Sequence, residues 1–115
     1  MNPTAIVLLQ ILTGLGLLAH GVPKLLELRQ TMKWFAKQGY GVIVGIFTTA
    51  VETLGAFLLI VGLFPRIVAA FVAITMLGAM FHHWRNKDSF RDGWEGAYLY
   101  FVTSIVIVLT GIGWV

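Results

Sequence analysis

The chain alternates between long stretches without formal charge and short segments that carry nearly all of it. Residues 4–22, 67–83 and 96–115 contain no Asp, Glu, Lys or Arg, and residues 42–64 contain one, Glu52. Each stretch approaches the roughly 20 apolar residues that cross a hydrocarbon core as an α-helix. A chain in lipid must satisfy its own backbone polar groups, and a helix does so within itself. The pattern therefore predicts an all-α polytopic membrane protein with four transmembrane helices, at about 4–22, 42–64, 67–83 and 96–115, packed as an up-down bundle. Residues 24–38 follow another pattern: Leu25, Leu28, Met32, Phe35 and Ala36 recur at helical spacing among Glu27, Gln30, Thr31, Lys33 and Lys37. This predicts an amphipathic connector lying in the interface after the first span, with a lid or a docking surface as its sharper alternatives. Pro23 is expected to fix the exit from that span, and Gly39 and Gly41 to separate the connector from the second.

Composition agrees and narrows the chemistry. Hydrophobic residues make up 58% of the 115 positions and charged residues 11%, against about 45–50% and 25% in soluble domains. Four spans leave room for one domain, 1–115. The chain has no cysteine, which excludes disulfides, thiolate metal sites, iron–sulfur clusters and a thiol nucleophile. Redox chemistry would belong to a bound cofactor, a lipid-soluble substrate or another subunit. The first span lacks a basic leader and a small-residue cleavage site, so it is expected to be retained.

The cations sort by loop. Lys24, Arg29, Lys33 and Lys37 lie between spans one and two, Arg85, Lys87 and Arg91 between three and four, and Arg66 alone on the opposite side. The positive-inside rule then puts both termini outside the cell membrane and loops 23–41 and 84–95 in the cytoplasm. Trp34, Trp84 and Trp94 fall near the basic side and Trp114 near the other, as an interfacial aromatic belt requires. Topology and headgroup contact account for the net charge of +3, so no nucleic-acid partner is expected.

Two polar features stand out. Glu52 is roughly 15 to 18 Å from either end of its span at 1.5 Å per residue, which places a carboxyl at mid-bilayer, where it must face protein or water or be held protonated. Gly41, Gly45, Thr48, Glu52, Gly55, Leu59 and Gly62 share a stripe that would let another helix approach it closely. His20, His82, His83 and Glu95 end or open spans at one level, with Lys24 one turn beyond His20 and Tyr98 one turn from Glu95. These predict a cytoplasmic mouth above the buried carboxyl, able to relay protons to it. His82 and His83 are about 100° apart on a helix, so one at most is expected to face inward, and no pair at ligand spacing supports a metal or haem site. The glycines are read chiefly as helix contacts.

His20-Gly21-x-x-Lys24-Leu25, Glu52-x-x-Gly55-x-x-Leu58-x-x-x-Gly62-x-x-x-Arg66, His82 with Phe90 and Glu95, and the closing Gly111-x-Gly113 together resemble the DoxX family of small four-helix membrane proteins. Many members carry an arginine about ten residues before the His-Gly pair, where Gln10 stands here. The resemblance implies association with membrane oxidoreductase assemblies, a quinone-linked one among them, and with oxidative or thiol stress. More distant four-helix relatives are cargo receptors and assembly chaperones, so the fold alone does not choose. The leading expectation is a membrane subunit that binds a quinone-like apolar small molecule, with Glu52 as hydrogen-bonding or protonating group, His20, Lys24, His82, His83, Glu95 and Tyr98 as the entrance, no intrinsic cofactor, and electrons from a soluble redox partner. A non-enzymatic assembly protein and a small-solute carrier are the alternatives. A homo-oligomer is expected through small-residue faces such as Ala69-x-x-x-Ala73.

Overall fold

The computed structural model describes residues 2–113. Five helices account for most of them, and there is no strand among the described residues: α1 (Pro3–Leu26), α2 (Leu28–Lys37), α3 (Gly41–Val61), α4 (Pro65–Arg85) and α5 (Glu95–Thr110). α1, α3 and α4 are long and apolar enough to cross a membrane, with mean hydropathies of 2.0, 2.0 and 1.6, whereas the apolar α5 has 16 residues. The expected last span, 96–115, is therefore shorter as a helix, and its Trp114 lies outside the described residues.

Local signals set the boundaries. The Asn2 side chain accepts a 2.8 Å hydrogen bond from the Ala5 amide, and Pro3 stands in the first turn where its missing N–H costs nothing. Pro23, expected to end the first span, instead lies inside α1, which continues to Leu26. A proline's fixed φ suits a helix, and near the last turn only one ladder bond is forfeited. Thr31 then bonds the Lys24 and Glu27 carbonyls at 3.1 and 3.0 Å, stitching α2 to the end of α1. α3 closes at Gly62, whose φ of 82° is open to glycine without a side-chain clash.

The glycines divide by use. Gly14 lies against Ala56 and Ile60 and Gly21 against the backbone of Glu52, so α3 passes α1 in the opposite direction with no room for a side chain between them. Gly39, Gly41 and Gly62 turn the chain, and Gly78 and Gly96 border open space. They are thus not uniformly helix contacts, and the supposed stripe on α3 is interrupted where Val51–Gly55 forms a π-turn. One extra residue per turn shifts everything beyond it out of the regular phase.

The core is apolar and central: Leu17, Leu59, Val72 and Ile107 are almost fully buried, with Ala56 and Ala69. Ala69 and Ala73, expected on an oligomer face, are packed inside the chain. Long apolar side chains such as Leu12, Ile43, Leu54, Ile74 and Leu109 point outward instead, as a lipid-facing surface does.

At the end of the molecule near Gly62, polar groups serve the backbone. Gln10, 2% exposed, donates to the Ile112 carbonyl at 2.9 Å and accepts from the Ile112 amide at 2.8 Å. Arg66 donates to the Val108 and Leu109 carbonyls at 2.8 and 3.1 Å, satisfying the end of α5 with a cation where the helix dipole favours one. Gln10→Leu leaves both Ile112 groups unpartnered in an apolar setting and should lower the unfolding free energy by about 1–3 kcal/mol, measured by denaturant titration in detergent micelles.

Candidate functional site

Glu52 occupies the second position of the π-turn in α3 and is 5% exposed. Gly21 of α1 packs directly on its backbone, and Lys24, three residues further along the helix, reaches its carboxylate with Nζ 2.5 Å from Oε2. The continuation of α1 through Pro23 makes this possible, because a helix that stopped at residue 22 would not carry Lys24 along this face. The Thr53 hydroxyl bonds the Thr49 carbonyl at 2.7 Å on the same turn, giving that carbonyl a side-chain donor where the helix ladder changes. The expected separation of a mid-bilayer carboxyl from a distant rim therefore does not hold: Lys24 is the direct partner of Glu52.

Two hollows meet at this carboxylate. One, about 180 Å³, has His20, Met76, His83, Gly93 and Tyr100 in its walls. The other, about 290 Å³, lies under α2 and holds Lys24 beside Trp34, Phe35, Tyr40, His82 and His83. Glu52, Ala79 and His83 border both. The absent side chains of Gly96 and Gly78 leave space in the first and second hollow respectively.

The histidines have defined partners. His82 Nδ1 is 2.8 Å from the Tyr40 hydroxyl, and its ring lies edge-on to Trp34 at 5.2 Å. His83 Nδ1 pairs with Asp88 Oδ2 at 2.8 Å, in space that any side chain at Gly93 would fill. Both histidines line the larger hollow, correcting the expectation that only one faces inward; the hollow wraps around two sides of α4. His20 meets the Tyr100 ring edge-on at 5.7 Å. Arg85 stands 4.8 Å over the Tyr40 ring and donates to the Gln38 carbonyl at 2.9 Å, tying the end of α2 to the end of α4.

Of the residues singled out from sequence, the structure gathers Glu52, Lys24, His20, His82 and His83 and leaves two aside. Glu95 is exposed and lines neither hollow, and Tyr98 turns outward against Phe90 at 5.7 Å. The phenol in the site is Tyr100, two residues and about 200° further around α5. The small residues Gly93 and Ala97 precede it at helical spacing and mark that inward face, a signal present in the sequence. Asp88 takes the role expected of Glu95 beside a histidine, and Tyr40 had no marker beyond its type.

Three long apolar helices, a shorter fourth and a charge pair set among them define a small multi-pass helical membrane protein. The DoxX family model matches residues 5–84, and the chain belongs to the DoxX family. A protein of Bacillus subtilis (strain 168) named "Putative oxidoreductase CatD" is 33% identical over 104 residues, covering 90% of this chain and 77% of that protein. No solved structure matches the chain.

Exposure decides how the pair should respond to substitution. The Lys24 side chain is 35% exposed and that of Glu52 7%, so an unpaired Lys24 can turn out of the bundle and an unpaired Glu52 cannot. Lys24→Met should therefore destabilise more than Glu52→Gln, by up to about 3 kcal/mol, and the double variant should recover part of the loss. Thermal unfolding of all four proteins in one detergent checks the order.

Proposed function

We propose that this protein is a membrane redox-associated subunit that binds a quinone-like small molecule beside the Lys24–Glu52 pair. The observation that carries this is the larger hollow itself. Flat aromatic walls from Trp34, Phe35 and Tyr40 face a polar end built by Lys24, Glu52, His82 and His83. A quinone ring offers two carbonyl oxygens that accept hydrogen bonds and a flat apolar body, and the hollow has both hydrogen-bond donors and aromatic rings in its lining. Lys24 retains two ammonium hydrogens beyond its bond to Glu52, enough to reach a ring carbonyl. Reduction of a quinone takes up two electrons and two protons. The electrons come, in this proposal, from a soluble redox partner on the basic side; the protons pass through His83 and Glu52, which border both hollows. The printed name of the Bacillus subtilis relative supports the redox class.

Within this reading α1, α3, α4 and α5 cross the cell membrane up and down as four spans, α5 being extended at its start by the turn Phe90–Trp94. Both termini lie outside, and loops 23–41 and 84–95, with α2, lie in the cytoplasm. Self-association, if it accompanies this role, uses outward faces other than Ala69 and Ala73.

Two measurements test the proposal. Native mass spectrometry or fluorescence quenching with a short-tailed naphthoquinone should show saturable binding that Glu52→Gln and Lys24→Met weaken at least tenfold, a loss of about 1.4 kcal/mol. Glu95→Gln and Tyr98→Phe should leave it unchanged; equal effects from all four, or no binding by the parent, would sink the quinone site. For topology, the absence of native cysteine allows single-cysteine labelling of intact cells. A cysteine at Asn2 should react with an impermeant maleimide, and one at Gln30 or Lys87 should react only after permeabilisation.

A further inference from the structure

Two histidines stand side by side near the end of α4, and their hydrogen bonds set them apart. Both ring nitrogens of His82 are engaged by uncharged groups, Nδ1 by the Tyr40 hydroxyl at 2.8 Å and Nε2 by the Asn86 amide at 3.2 Å. His82 is thereby part of the frame that ties Tyr40 to the end of α4. His83 is held by a carboxylate instead: its Nδ1 lies 2.8 Å from Asp88 Oδ2, and its Nε2 has no partner among the described residues. The backbone is shaped to make this pair. Past the end of α4 the Lys87 amide bonds the Trp84 carbonyl and the Asp88 amide bonds the His83 carbonyl, both at 3.0 Å. Lys87 has a φ of 59°, the left-handed conformation that this helix closure usually assigns to glycine. A disfavoured lysine backbone is thus kept in a turn that carries Asp88 back over His83. Gly93 closes on the pair from the other side, where a Cβ would stand 2.6 Å from Asp88 Cβ and 2.9 Å from His83 Nδ1.

We propose that Asp88 is a positioning residue that keeps His83 in one tautomer, with the proton on Nδ1, so that Nε2 is the base that exchanges a proton with a quinol or quinone in the larger hollow. The proposal rests on the quinone reading above and names the atom through which one of its two protons moves. An ionised carboxylate only accepts hydrogen bonds, so Nδ1 donates to it. A neutral imidazole carries a single N–H, which leaves the lone pair on Nε2. His83 borders both hollows and Asp88 borders neither, so the basic nitrogen belongs to the site and the carboxylate to its support. When Nε2 takes the proton of a quinol hydroxyl, the O–H bond breaks, an N–H bond forms, and the imidazolium charge is offset by Asp88 across the Nδ1 bond. The electrons leave to the soluble redox partner and do not pass through the ring. In the opposite direction the same Nε2–H gives its proton to the oxygen of a quinone as that partner reduces it. A neutral His83 held this way accepts from the hydroxyl of a quinol and has no hydrogen on Nε2 to give to the carbonyl of a quinone. The pair therefore makes the hollow discriminate between the two redox states of its ligand, and His82, with both nitrogens already bonded, takes no part in the exchange.

Nitrogen NMR of isotope-labelled histidines reads the tautomer directly, in nanodiscs, with His20→Gln and His82→Gln assigning the signals. Neutral His83 should be protonated at Nδ1 and bare at Nε2. Asp88→Asn, whose amide is able to donate to Nδ1 as well as accept from it, should move His83 toward the Nε2–H form. So should Gly93→Ala, which pushes a methyl between the partners and removes neither. In both variants the reduced form of a short-tailed naphthoquinone should bind about fivefold more weakly, the weight of one hydrogen bond, while the oxidised form binds no more weakly than to the parent protein. Asn86→Ala, which frees only His82 Nε2, should change neither the His83 tautomer nor the ratio of the two affinities. An Nε2–H tautomer in the parent, or an unchanged tautomer in both variants, overturns the positioning role of Asp88. The expected tautomers with both redox forms weakened equally overturn Nε2 as the proton-exchanging atom. The expected tautomers in a parent protein that binds neither form overturn the quinone reading and leave Asp88 as the residue that positions His83.

Discussion

A carboxylate inside an apolar helix bundle must be compensated, and the contact of Lys24 with Glu52 is the constraint around which this fold is arranged. For the ammonium to reach it, α1 has to stay helical past Pro23. For the two backbones to come close enough, position 21 has to be glycine, since any side chain there would collide with the Glu52 carbonyl. α3 meets this approach with a π-turn rather than a regular one, and Thr53 supplies a hydroxyl to the local backbone. π-turns recur at functional sites because the extra residue re-aims a side chain without breaking the helix. Here that side chain is the carboxylate that separates two hollows.

The molecule is asymmetric from end to end in how it uses polarity. Around Gln10, Arg66 and Ile112, polar side chains are bonded to backbone carbonyls and amides and hold α5 against α1 and α4. At the other end, side chains bond to one another: Tyr40 to His82, His83 to Asp88, Lys24 to Glu52. Backbone satisfaction gives a fixed closure. The side-chain pairs, made of ionisable groups, stand beside the two hollows.

α2 connects the two aspects. Its apolar residues Met32 and Phe35 pack toward Gly45 of α3, and Trp34 and Phe35 roof the larger hollow. The Arg85 guanidinium, over Tyr40 and bonded to Gln38, anchors the far end of this roof to α4. The amphipathic connector is thus also a wall of the larger hollow.

Sequence pattern alone determined the all-helical membrane class, the place of Glu52 inside an apolar span, the grouping of His20, Lys24, His82 and His83 at one level, and the amphipathic character of α2. Those follow from hydrophobicity and helical period, which are local properties. The family was legible too, through the order of short motifs. What tertiary structure decided was phase and partnership. Tyr98 and Tyr100 are both phenols near one helix start, and only packing against α1 shows that Tyr100 faces inward. Glu95 and Asp88 are both acids near the histidines, and only the course of the turn before α5 brings Asp88 to His83. Lys24 read as a rim cation because Pro23 usually ends a helix, and Glu52 then seemed to lack a countercharge. A π-turn has no periodic signature of its own, and a charge pair across 28 residues exists only when two helices meet.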